Sequence, residues 1–254
     1  MKSATLNIIL PIAGTSELFE KAGYIYPKPL IEINGIPMIE LVLQNLLNIN
    51  LPKKFTFIIR EDDCLSYHLD NTLRLLVPDA NVVTIKKPTQ GALCSVLMSI
   101  DNIQPEEGLL ILNGDQLIEG DVEKVLQFFI EEKAEAGILT FTSVHPRWSF
   151  ARTNEKNEVI ETAEKNPISK NAIAGFYYFR SAELFIDAAS NVLLKDTRIN
   201  DSFFISSVIN EYILMNKRAL NYSIRSEQYH SFYSPQMIKE YESLTNKQEW
   251  KSLN

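Results

Sequence analysis

The chain reads as an α/β protein: a Rossmann-like, mixed but mostly parallel sheet flanked by helices, with a small antiparallel sheet contributed by its second half. Three observations predict this. Apolar, β-rich runs recur at 6–12, 55–60, 81–85, 108–112 and 137–144. Helical periodicity fills the earlier intervals at about 37–48, 63–77 and 91–100. After residue 145 the strands shorten and polar turns join them. Strands separated by helices are suited to parallel pairing, because a parallel pair needs a crossover, and unbroken apolar runs belong to strands covered on both faces.

Taken in order, the first strand is aliphatic from Leu6 to Ile12 and ends in Pro11-Ile12-Ala13-Gly14, where small residues let the backbone pass close to a ligand. Further on, Pro27 and Pro29 restrict the chain on both sides of Lys28. Together these suit a nucleoside triphosphate; the same residues also read as a strand, a turn and an exposed lysine. Asn34-Gly35-Ile36-Pro37 marks a turn, with Pro37 in the first turn of a helix from Met38 to Leu47. Gln90-Gly91-Ala92 opens a helix just after Lys86-Lys87-Pro88-Thr89, which offers backbone amides to a base or a phosphate; close packing of helix on sheet accounts for Gly91 equally well.

The fourth strand runs straight into Asn113-Gly114-Asp115, at the carboxyl end where open α/β sheets bind ligands. Magnesium takes oxygen ligands, usually one or two carboxylates plus substrate phosphates, so Asp115 is a candidate ligand; the alternative is a plain turn at Gly114-Asp115. A helix at about 121–134 follows. Beyond residue 145 come short strands at 149–153, 158–163 and 173–179, helices at about 181–194 and 203–215, a strand near 219–225 and a final helix from Pro235. His145-Pro146-Arg147-Trp148 reads as a bend with Trp148 packed at its edge, since spacing fixes no carboxylate partner for the histidine. One domain over 1–254 is expected, with a nucleotide-binding half at 1–145 and an acceptor-binding half at 146–254.

Composition narrows the function further. The 254 residues are 45% hydrophobic and carry a net charge of −7 with no run of clustered Lys/Arg, which argues against a nucleic-acid surface and leaves any phosphate ligand to local lysines and a metal ion. Cys64 and Cys94 have no metal-binding spacing and read as buried free thiols. No apolar stretch approaches the roughly 20 residues that span a bilayer, and the chain enters its first strand without a cleavable leader, so a cytoplasmic location is the expectation. A homo-oligomer is one expected state of assembly beside a monomer.

Combined, these segments carry a resemblance. Pro11-Ile12-Ala13-Gly14, Pro27-Lys28-Pro29-Leu30-Ile31, Asn34-Gly35-Ile36-Pro37-Met38-Ile39, Thr89-Gln90-Gly91-Ala92, Asn113-Gly114-Asp115, Ala163-Glu164-Lys165 and Gly175-Phe176-Tyr177-Tyr178-Phe179 follow one another as in the sugar-phosphate nucleotidyltransferases of the GT-A-like fold. Tyr233-Ser234-Pro235 extends the likeness, which covers nearly the whole chain and is nearest the short, single-domain members encoded with capsule and lipopolysaccharide genes. The resemblance implies that Leu10, Ala13 and Gly14 line the nucleotide, that Gln90 and Gly91 approach the base or ribose, and that Asn113 and Gly114 adjoin it. It further implies Mg²⁺ on Asp115, Lys28 on the triphosphate, Lys165 on the acceptor phosphate, and Glu164 and Gly175 beside the acceptor. Asp201 is a further candidate metal ligand; it reads also as a helix cap, and Lys165 as a solvated turn lysine.

The chain departs from that pattern at one place. Where the family has a second glycine and then an arginine that grips the triphosphate, this chain has Ser16 and Leu18, with Glu17 between them. A charge-assisted contact is lost, and Lys21 or Arg60 would have to replace it. Lys87 stands where many relatives read the base with glutamine. The leading expectation is Mg²⁺-dependent transfer of a nucleotidyl group from an NTP to a sugar 1-phosphate or related phosphorylated acceptor, supplying nucleotide sugars for surface polysaccharide. The alternatives are a nucleotide- or nucleotide-sugar-binding protein with weakened chemistry, and a glycosyltransferase, for which the usual Asp-x-Asp motif is missing.

Overall fold

The computed structural model describes residues 5–101 and 103–252. In chain order its first half contains β1 (Leu6–Pro11), α1 (Glu17–Lys21), a helical turn at Lys28–Leu30, β2 (Glu32–Ile33), β3 (Ile36–Pro37), α2 (Met38–Leu47), β4 (Lys53–Arg60), α3 (Glu61–Tyr67), α4 (Leu69–Leu76), β5 (Asn81–Ile85) and α5 (Ala92–Leu97). Next come β6 (Gly108–Leu112), β7 (Gln116–Ile118), α6 (Val122–Glu131), β8 (Ala136–Thr142), β9 (Ser149–Thr153), β10 (Val159–Glu164) and β11 (Asn171–Phe179). The chain closes with α7 (Ala182–Leu194), α8 (Ile205–Leu214), β12 (Ala219–Ser223), β13 (Tyr229–Ser231) and α9 (Pro235–Ser252).

Strands β5, β4, β1 and β6 lie side by side and parallel; β11 runs antiparallel between β6 and β8, and β12 adds a parallel edge to β8. The β9–β10 hairpin joins this sheet where Phe150 pairs with Ala172. Side chains alternate across the sheet. Ile8, Leu10, Leu110 and Leu112 therefore face α2, α4 and α6, whereas Ile9, Ile58, Leu109 and Ile111 face α5, α7 and α8. Burial on both faces is why the strands read as unbroken apolar runs.

A third, smaller core joins Phe19, Ile31, Ile33, Met38 and Leu41 to Leu117, Phe232 and Ile238. It seals the segment carrying Lys28 against β7, β13 and α9.

The expected helix at 63–77 is two helices, α3 and α4, because His68 adopts the left-handed conformation (φ 52°) between them. The helix expected at 91–100 is shortened to Ala92–Leu97. Sequence periodicity also misses α1, the β2–β3 hairpin and the β7–β13 pair, whose segments are too short to show a period.

Candidate functional site

Strand β1 is central in the sheet, and Ile12 extends its pairing by donating its N–H to the Ile58 carbonyl (2.9 Å) before the chain leaves the sheet at Ala13-Gly14. A Cβ on Gly114 would stand 1.9 Å from Ile12 Cγ2, so the ends of β1 and β6 come together only because residue 114 has no side chain. Opposite them, the buried hydroxyl of Ser16 accepts the Lys28 N–H (3.0 Å). Lys28 Nζ then reaches Asp115 Oδ2 at 2.9 Å. These groups enclose a cleft of ≈ 220 Å³ lined by Pro11, Ile12, Gly14, Lys28, Pro29, Asn113, Gly114 and Asp115.

A second cavity of ≈ 360 Å³ adjoins it and shares Asn113 and Asp115. Its floor is set by Gly175, which sits at an irregularity in the pairing of β11 with φ +54°. The Gly175 carbonyl accepts both the Asn113 N–H and Gln116 Nε2 (3.0 Å each). A Cβ there would meet Asn113 Nδ2 at 2.3 Å, so this position demands glycine twice, for its backbone and for its space. On the other side of Asp115, the β7–β13 pair places Ser231 opposite Gln116, and Phe232 donates its N–H to the Asp115 carbonyl (2.7 Å). Asp115 is thereby anchored at its main-chain carbonyl by Phe232 and at its carboxylate by Lys28.

The walls of this second cavity are aromatic. Tyr229 stacks on Phe141 with centroids 4.2 Å apart and donates its hydroxyl to Gln116 Oε1 (3.2 Å), while Trp148 sets its edge against both rings. Glu164 lines the cavity and is mostly buried; Ser149 and Ser206 donate to its Oε2, and its Oε1 has no protein partner among the described residues. Burial pushes the Glu164 carboxyl above the usual carboxylate range against the opposing pull of those two hydroxyls. Burial likewise raises the Tyr177 phenol, with the neighbouring Glu164 adding to the shift. Lys165 adopts the left-handed conformation (φ 55°), uncommon for a residue with a side chain, and donates its N–H to the Trp148 carbonyl (3.0 Å). Its Nζ lies 5.4 Å from the centroid of the Phe204 ring, on the cavity wall.

Of the residues singled out in the sequence, Gly14, Lys28, Asn113, Gly114 and Asp115 meet in the first cleft, and Glu164, Lys165 and Gly175 meet Asn113 and Asp115 in the second. Five others line neither. Leu10 is fully buried and turned into the core by the alternation of β1. Ala13 packs against the core on the opposite face. Gln90 is exposed, and Gly91 (φ +105°) is pressed against the backbone of Phe203, where a Cβ would stand 2.4 Å from the carbonyl oxygen; close packing is the structural reason for this glycine, and Ala92 is the residue that reaches the cavity. Asp201 occupies an exposed tight turn closed by the Ile199–Ser202 pair (φ 59°), outside helix α8 and not among the residues lining Asp115's cavities. The two cations considered as substitutes for the loop arginine are paired locally, Lys21 with Glu17 and Arg60 with Asp62. Sequence reasoning missed Ser16, Gln116, Tyr229 and Arg147, which build or line the site.

Among the described residues, no three His, Cys, Asp or Glu side chains cluster as a metal cage. Magnesium does not require one: it keeps waters and takes one or two carboxylates together with substrate phosphates. Asp115, at the junction of two cavities with cations on their walls, fits that donor set as the single protein carboxylate.

Residues 24–246 match the family described as nucleotidyl transferase. The chain is 23% identical over 161 residues to a UTP–glucose-1-phosphate uridylyltransferase of Haloferax volcanii, covering 61% of this chain and 64% of that protein. It is 29% identical over 119 residues to a glucose-1-phosphate adenylyltransferase of Clostridium novyi, covering 45% of this chain and 30% of that one. The match thus spans less than two thirds of either relative. The crystal structure of a nucleoside-diphosphate-sugar pyrophosphorylase from Vibrio cholerae RC9 superimposes with a TM-score of 0.80 at 21% identity, over 93% of this chain and 99% of that one, a likeness of fold.

Proposed function

The chain belongs to the nucleotidyl transferase family, and from that premise we propose that it transfers a nucleotidyl group from an NTP to a sugar 1-phosphate or a related phosphorylated acceptor. The observation that carries this reading is the sharing of Asp115 and Asn113 by two adjacent cavities, one bounded by the β1 loop and Lys28, the other by Lys165 and Glu164. Donor and acceptor seated in these cavities would meet at Asp115.

An oxygen of the acceptor phosphate attacks the α-phosphorus, the bond from that phosphorus to the α,β-bridging oxygen breaks, and pyrophosphate leaves with the bonding electrons. The attacking oxygen is already ionised at neutral pH, so no general base is needed. Lys28 takes the triphosphate, Lys165 the acceptor phosphate, and Glu164 accepts a hydroxyl of the acceptor through Oε1. Asn113, fixed through Gly175, holds the floor between the two substrates. Mg²⁺ held by Asp115 supplies further charge neutralisation on the phosphate oxygens. The work left to the protein is alignment and electrostatic stabilisation, each capable of several kcal/mol. The product would be a nucleotide sugar, and we assign it to supply of surface polysaccharide synthesis in the cytoplasm, where NTPs are available; no helix among the described residues is long and apolar enough to cross a membrane.

Incubation of the purified protein with each NTP, Mg²⁺ and a panel of sugar phosphates tests this. Pyrophosphate release with at least one pair is expected, and silence across the panel contradicts transfer. One observation favours a second reading, a nucleotide-binding protein with weakened chemistry: Leu18, where the resemblance places the gripping arginine, is 44% exposed, and Lys28 is the first cleft's single cation. Calorimetric binding of an NTP without turnover is its signature.

A further inference from the structure

The acceptor cavity contains a charge that the reaction above does not use. Arg147 lies on its rim with the guanidinium 4.8 Å from the centroid of the Trp148 ring, its backbone N–H donating to His145 Nδ1 (3.3 Å) and its Nη1 against Met237 Sδ (3.8 Å). Although the chain carries a net charge of −7, Arg147 forms no ion pair among the described residues. The same holds for Lys165. The two carboxylates lining the cavity are Asp115, which is paired with Lys28, and Glu164, which is engaged by two hydroxyls.

The two unpaired cations lean on different walls. Lys165 is turned by its left-handed backbone toward Phe204, at the start of α8, whereas Arg147 is held on Trp148 and against α9. The segments that carry them are adjacent, through the Lys165 N–H and the Trp148 carbonyl, but the head groups lie on different rings, so a phosphate seated on Lys165 leaves the guanidinium available to a second group of the same ligand. Although Arg147 is exposed, its guanidinium already rests on Trp148 and Met237, so part of its side-chain freedom is spent before an anion is bound. An arginine fork matches a carboxylate or a phosphate in geometry, and neither a hydroxyl nor an amide would use its charge.

We propose that the acceptor carries a second anionic group besides the phosphate at Lys165, a carboxylate or a further phosphate, and that Arg147 selects for it. This rests on the assignment of the larger cavity to the acceptor. It narrows the substrate class to acidic sugar phosphates, such as a hexuronic acid 1-phosphate or a hexose bisphosphate.

Calorimetry on the full chain, without nucleotide, separates the possibilities. Glucose 1-phosphate, glucuronic acid 1-phosphate and glucose 1,6-bisphosphate are titrated into the wild type and into R147A and R147K. Expected is a preference of about tenfold or more for at least one doubly acidic ligand over glucose 1-phosphate, with the two acidic arms telling carboxylate from phosphate. That ratio should fall to about one in R147A and be partly kept in R147K. A wild-type ratio near one, a ratio unchanged in R147A, or no binding of any of the three overturns the proposal. Pyrophosphate release from glucose 1-phosphate with a ratio near one sinks this inference alone, whereas the ratio without pyrophosphate release leaves it standing and removes the catalytic reading.

Discussion

Lys28 Nζ lies 2.9 Å from Asp115 Oδ2, an ion pair across 87 residues of sequence whose side chains are 18% and 24% exposed. The two groups close the gap between the β1 loop and the end of β6, and both line the smaller cleft. On the proposed function, the lysine holds the carboxylate until phosphate oxygens draw the lysine away. Asp115→Asn should therefore reduce kcat/KM for pyrophosphate release by about a hundredfold or more while changing stability by only about 1 kcal/mol, as expected for a partly exposed pair. Steady-state kinetics beside a urea titration checks both parts.

Ser16 illustrates a different dependence. Its hydroxyl is buried and accepts the Lys28 N–H, so Ser16→Ala leaves a backbone donor without its partner. The expected cost is about 1–3 kcal/mol, which for a chain of this size lowers Tm by roughly 2–10 °C. A calorimetric scan that shows no change would mean that water replaces the hydroxyl.

At Gly175 the left-handed backbone and the contact with Asn113 and Gln116 act together. Gly175→Ala should destabilise by more than the roughly 1–2 kcal/mol of the backbone term alone, because its Cβ must displace the Asn113 and Gln116 side chains. Chemical denaturation measures this directly. The surviving folded protein should also bind acceptor less tightly.

The raised Glu164 carboxyl makes a prediction with a definite sign. Between the ordinary carboxylate range and its higher folded value, the folded protein holds a proton that the unfolded chain has released, so stability falls as pH rises through that window. Glu164→Gln removes the proton exchange and should flatten this part of the stability–pH curve. Urea midpoints between about pH 4 and 8 for both proteins show the difference; parallel curves would place the dependence elsewhere.

Much of the sheet could be read directly, because β1, β4 and β6 are covered on both faces and leave apolar runs bounded by turns. The meeting of Lys28 and Asp115 at their ends was legible for a similar reason: Lys28 stands between two prolines and Asp115 closely follows a buried strand. Gln116, Tyr229 and Phe232 were hidden, since they act through the β7–β13 pair, whose three-residue strands meet across more than a hundred residues and have no period of their own. Leu10 and Gly91 sit near the end of β1 and the start of α5 but line neither cavity: strand alternation turns the Leu10 side chain into the core, and the Phe203 backbone occupies the space beside Gly91. Asp201, too, is an acidic residue near the start of a helix, but it sits in an exposed tight turn and lines neither cavity that contains Asp115.

The central claim is that Asp115 stands between donor and acceptor. The most direct measurement is a crystal structure of the protein with Mg²⁺, an α,β-methylene NTP and a sugar 1-phosphate. The account predicts the triphosphate against the β1 loop, the sugar phosphate at Lys165, and Asp115 released from Lys28 and turned to the metal. A nucleotide bound elsewhere, with the Lys28–Asp115 pair intact, would contradict it.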